Sequence, residues 1–148
     1  MKVKLLLAFT ALSLVFSGCE KDDGGGISDA RLVGKWGLTS WSYLEYENNV
    51  KIDEDIETDF SSDDYWEFKP DGSVTLSETG AGIEQGNYTF TDDGKKLTLT
   101  ASLNGITISL PYTVKTLTST DMTLHHEFTS TESGKSYREV NEVTFKKK

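Results

Sequence analysis

The sequence predicts an all-β protein, an eight-stranded antiparallel up-and-down barrel, on three observations. From Leu32 onward, short segments rich in Thr, Val, Tyr, Phe and Leu alternate in polarity, the pattern of strands with one buried face. Compact turn signals such as Lys69-Pro70-Asp71-Gly72 and Asn104-Gly105 separate them. No stretch sustains a helical period.

Strands are predicted over residues 35–46, 65–69, 73–77, 87–91, 96–103, 107–115, 122–129 and 137–146. In the first, Trp36 and Leu38 lie on one face and Trp41 and Tyr43 on the other, so a bulge between the pairs is expected. Trp66 and Phe68 share a face in the second strand, as do Val74 and Leu76 in the third. Between them Pro70 fixes φ and Gly72 accepts a left-handed backbone. Tyr88 with Phe90, then Leu97 with Leu99, continue the inner face on either side of Asp92-Asp93-Gly94. Asn104-Gly105 is a two-residue hairpin signal, and Ile106, Ile108, Leu110, Tyr112 and Val114 follow on one face.

After Ser119-Thr120-Asp121, the inner face continues with Met122, Leu124, His126 and Phe128, which leaves His125 outward and solvated. Ser133-Gly134-Lys135 closes the last hairpin. Beyond it Tyr137, Val143 and Phe145 keep one register, Val140 the other, and Glu139 and Asn141 fall nominally inward. A bulge that turns these two outward is the expectation at a barrel rim; a wet cavity lined by them is the alternative. Connections this short force antiparallel neighbours, and closure removes exposed sheet edges.

The N-terminus carries targeting information. Lys2 and Lys4 precede an apolar run over residues 5–16 that is too short for a permanent membrane span, so residues 1–18 read as a signal peptide. Phe16-Ser17-Gly18-Cys19 resembles a lipobox, with Phe16 where Leu is commoner. The resemblance implies cleavage before Cys19 and lipidation of this cysteine with diacylglycerol and palmitate, making the membrane a partner. A free buried thiol or an intermolecular disulfide is the competing reading for the single cysteine. Residues 19–30 then form a flexible tether that includes Gly24-Gly25-Gly26, and residues 31–148 the barrel domain. Lys21-Asp22-Asp23 resembles the export signal of Gram-negative outer-membrane lipoproteins, which implies a surface-exposed position; a periplasm-facing one is the alternative.

Charge narrows the partners. The 148 residues carry a formal charge of -9, and without the leader 13 basic side chains face 24 acidic ones, a balance that repels nucleic acid. Much of the excess lies between Glu45 and Glu67, where ten acids accompany Lys51 alone. Residues 47–64 are expected to be a loop, with Val50, Ile52, Ile56 and Phe60 spaced to allow a short amphipathic turn of helix over a barrel mouth. Calcium ligation by Asp53, Asp55, Asp59, Asp63 and Asp64 is weighed against a solvated acidic loop, and the latter is preferred because the EF-hand spacing is missing. No metal or other cofactor is expected.

Leu32-Val33-Gly34-Lys35-Trp36 resembles the Gly-x-Trp opening of lipocalins. With residues 65–76, Gly86-Asn87-Tyr88-Thr89-Phe90, Leu97-Thr98-Leu99 and Tyr112-Thr113-Val114, the chain resembles the lipocalin-like domain of bacterial lipoproteins across residues 31–146. The resemblance implies that Trp36 plugs one end of the barrel under a basic side chain from the last strand, for which Arg138 is the candidate. It also implies that the barrel binds a small hydrophobic or amphipathic molecule. Trp41, Tyr43, Trp66, Tyr88 and Tyr112 are then the expected contacts, with His126 as a polar orienter. The competing function is a surface interaction module with a filled core. No nucleophile elbow, zinc motif or readable histidine partner accompanies these residues, so an enzyme is not expected.

Overall fold

The computed structural model describes residues 30–148 apart from 81, 92–93 and 104–105. Cys19, the leader and most of the tether lie outside the described residues, as do Asp92, Asp93, Asn104 and Gly105 of two expected turns. The described strands are β1 (Gly34–Glu47), β2 (Val50–Glu57), β3 (Tyr65–Phe68), β4 (Ser73–Glu78), β5 (Gly82–Thr91), β6 (Lys96–Leu103), β7 (Ile106–Leu117), β8 (Asp121–Glu132) and β9 (Lys135–Lys147).

Eight of these close a barrel. Successive strands from β3 to β9 pair antiparallel, β9 returns along β1 from Trp36 to Glu47, and residues 34–37 of β1 complete the ring against β3. The ladder of β1 against β9 shifts register between Leu38 and Ser40, with Thr39 as the extra residue. This is the expected bulge: it brings Trp41 and Tyr43 onto the face of Trp36 and Leu38.

β2 corrects the expectation of a loop or helical lid over residues 47–64. It pairs with the upper half of β1, from Trp41 against Glu57 to Glu47 against Val50. The turn between them is Asn48-Asn49, with φ of 50° and 67°, the left-handed pair that a tight hairpin requires and that Asn tolerates. Val50, Ile52 and Ile56 are β-branched at a spacing of two and four, which serves a strand better than a helix.

The core fills one end of the barrel. Trp36, Leu97, Met122, Leu124 and Phe145 are fully buried, and Phe68, Val74 and Leu99 nearly so. The Trp36 indole donates Nε1–H to the Leu32 carbonyl at 2.7 Å, so the plug satisfies its own polar atom. Lys147 Nζ sits 4.7 Å from the ring centre and donates at 2.7 Å to the carbonyls of Arg31 and Val33. The Lys69–Ser73 turn closes the same end: Gly72 adopts φ 83°, and the Asp71 carboxylate accepts from the Ser73 backbone and hydroxyl.

Candidate functional site

Toward the other end the same inward positions stay only part-buried. They include Trp41 and Tyr43 of β1, Leu76 and Glu78 of β4, Ile108, Leu110 and Tyr112 of β7, His126 of β8, and Glu139 and Asn141 of β9. Phe128, at the height of Glu139, is 48% exposed. Solvent therefore enters the upper half of the barrel while the lower half excludes it. Of the side chains that would have to fill the whole interior, Trp66, Phe68, Leu97, Leu99 and Leu124 do so, whereas Ile108, Leu110 and Phe128 do not.

The inward position of Glu139 and Asn141 overturns the expected bulge in the last strand. The ladder between β8 and β9 runs without a shift from Asp121 against Lys146 to Glu132 against Lys135, so parity carries both polar residues to the face of Val143 and Phe145. Their neighbours share that polarity. Glu45 stands directly opposite Glu139, and Tyr43 opposite Asn141. Across the barrel Glu78 continues the inward face of Val74 and Leu76, and Glu84 faces inward opposite Leu76.

These carboxylates perturb one another. Burial, then Glu84 and Asp64, push Glu78 up to about 7, with the nearby Trp66 N–H only partly opposing them. Burial and Glu45 raise Glu139, and His126 opposes the shift. The Tyr43 hydroxyl, which donates to Glu45 at 3.4 Å, is pushed up to about 12 by burial and by Glu139 and Glu45. Burial and then Glu78 push Tyr112 higher still. By contrast, Asp64 serves structure: burial would raise it, but N–H groups of Thr79 and Ser61, each 2.6 Å from its carboxylate, hold it below the usual range.

The expected contact residues fall in two groups. Trp41 and Tyr43 stack with centroids 6.2 Å apart, and Trp66 meets Tyr112 edge to face at 6.0 Å. Tyr112 also lies 5.7 Å from the His126 ring, so all five line one interior. His126 Nδ1 donates to the Pro111 carbonyl at 2.6 Å, which fixes the orientation of the ring. Tyr88 does not join them: it is 6% exposed beside Phe68 in the filled end, and its hydroxyl donates to the Lys69 carbonyl at 2.7 Å. His125 does face outward, part-buried between Glu127 and Glu142 rather than freely solvated.

The acids weighed for calcium do not converge. Asp53 and Asp55 ride on β2 and Asp64 is held by backbone donors, and among the described residues no three His, Cys, Asp or Glu side chains gather as metal ligands. Besides Glu139, the acids that line the interior are Glu45, Glu78 and Glu84, legible only as continuations of apolar alternation: Glu45 follows Trp41 and Tyr43 at the same period of two.

A family model described as a lipocalin-like domain matches residues 32–124, from the Trp36 plug into β8. The chain belongs to the lipocalin-like domain family. No curated protein matches its sequence significantly. Among solved structures, insecticyanin from the tobacco hornworm Manduca sexta is similar at 9% identity and a TM-score of 0.44, over 86% of this chain and 68% of that one.

In this lipocalin-like barrel Trp36 is buried at the plugged end, but the cation over it is Lys147 and not Arg138. Register decides the matter: Lys147 pairs opposite Trp36, whereas Arg138 falls opposite Tyr46, over whose ring it lies at 3.9 Å.

Proposed function

We propose that the protein binds a small hydrophobic or amphipathic molecule in the upper half of its barrel, in a non-catalytic role. The observation that supports this reading is the contrast between the two halves: inward side chains are sealed around Trp36 and part-exposed around Trp41, Tyr43 and Tyr112. Pockets of this kind combine an apolar lining with a few polar groups, here His126 and Asn141. The proposal includes anchoring through lipid on Cys19 at the outer membrane, with the barrel facing outward, the address suggested by Lys21-Asp22-Asp23. The periplasm-facing address is the competing one.

Binding is tested by titrating decanol into the full chain carrying Cys19→Ala, so that no attached lipid competes, and following tryptophan fluorescence. Saturable binding with a Kd on the order of 1–10 μM is expected, and Trp41→Ala should weaken it about tenfold. A linear, non-saturating response would remove the reading.

A further inference from the structure

We infer that the open half of the barrel selects cationic amphiphiles, molecules whose apolar body lies among the aromatic rings and whose ammonium head meets inward-facing carboxylates. The inference rests on the proposed binding role and names its ligand class. Four glutamates from four strands, Glu45, Glu78, Glu84 and Glu139, point to the same interior. Glu45 and Glu139 stand directly opposite each other on one face, an arrangement of like charges that works against strand pairing. His126 alone answers them from inside, beside Glu139, and among the described residues no lysine or arginine joins it inside this end of the barrel. Lys135, at the rim, is held by Glu47 at 2.8 Å, and Arg138 lies on the outer face near Glu127 at 3.7 Å. Burial is the main cause of the rise of Glu78 and of the Tyr43 and Tyr112 hydroxyls, and the neighbouring acids add to each.

A second observation concerns Trp66. It is 5% exposed, and its inward Nε1–H meets no acceptor in good hydrogen-bond geometry, the Glu78 carboxylate beside it being only a weak partner. A buried donor so poorly satisfied leaves room for a ligand oxygen to complete its bonding. An amine whose head also carries a hydroxyl or carbonyl oxygen answers both demands, its nitrogen toward Glu78 and Glu84 and its oxygen toward Trp66. The stacked pair Trp41 and Tyr43 adds ring faces to which a cation is attracted.

The test uses three ligands with one chain length and different heads, decylammonium, decanol and decanoate, titrated calorimetrically into the full chain with Cys19→Ala. At low salt, about 20 mM, decylammonium should bind at least about tenfold more tightly than decanol, and decanoate more weakly than either. The advantage should shrink several-fold near roughly 0.5 M salt. In the double variant Glu78→Gln, Glu84→Gln the ratio of decylammonium to decanol affinity should collapse toward one. Equal or tighter binding of decanol or decanoate overturns the cationic preference and leaves the pocket standing; failure of all three ligands to bind removes the pocket itself. If the double variant does not fold, salt decides on the unmodified barrel: an ammonium advantage insensitive to salt overturns the inference.

Discussion

Replacing Glu78 by Gln removes a carboxyl group whose ionisation the fold resists, and the effect on stability has a definite sign. Burial and the nearby acids carry the group from an ordinary 4.5 to about 7. The folded state thus holds this proton more tightly than the unfolded chain. Wild-type protein bears no penalty below about pH 4.5, accumulates it between there and about 7, and carries it in full above. At about 1.36 kcal/mol per pH unit the gap amounts to roughly 3 kcal/mol, and because solvent reaches part of the side chain, about 1–2 kcal/mol is the expected net value. Glu78→Gln should match wild type near pH 4 and exceed it by about that amount near pH 8.5. Urea unfolding followed by tryptophan fluorescence measures the difference as a rise in midpoint at constant slope. An offset equal at both pH values would refute the electrostatic argument. A variant less stable than wild type at the higher pH would do so too, since the ionised carboxylate would then have to be a net stabiliser, with Trp66 as its partner.

Other expectations follow from the plug and from the leader. Trp36→Ala should cost about 3–5 kcal/mol, since it empties a fully buried site and orphans the Leu32 carbonyl; a loss under about 1 kcal/mol in the same urea assay would contradict the plug. Cys19→Ala should abolish incorporation of labelled palmitate, and a wild-type chain that takes up no label would end the lipoprotein reading. Protease added to intact cells should degrade the barrel, whereas joint replacement of Lys21, Asp22 and Asp23 by alanine should protect it; identical outcomes for the two chains would reject the export signal.

The filled half of the barrel was the legible half. Trp36, Phe68, Val74, Leu97, Leu124 and Phe145 lie where apolar alternation puts them, and the bulge at Thr39 follows from the mismatch of Trp36 with Trp41. Alternation reports which face a side chain takes, however, and says nothing about its height along the barrel. Alternation thus groups Tyr88 with the mouth although the pairing of β5 sets it beside Phe68, and Arg138 is the candidate cation as the only late arginine although β9 sets Lys147 opposite Trp36. The mouth was obscured by its polarity. Glu45, Glu78 and Glu84 continue inward faces but break the apolar pattern by which such faces are recognised, and Asp53-Glu54-Asp55 hid the strand period of β2.

That run of acids on β2 matters in another way. Among the described pairings β2 uses only its edge against β1, so its outer edge offers free backbone groups, and Val50, Ile52 and Ile56 beside it are more than half exposed. Such an edge is a template on which a second copy could add a strand and begin a chain of joined molecules. Three successive carboxylates put negative charge on both faces of the strand, so a like strand laid against it would bring acid beside acid. Self-association is thereby discouraged at its most vulnerable seam, by a repulsion that salt weakens and that replacement of these acids by their amides would remove.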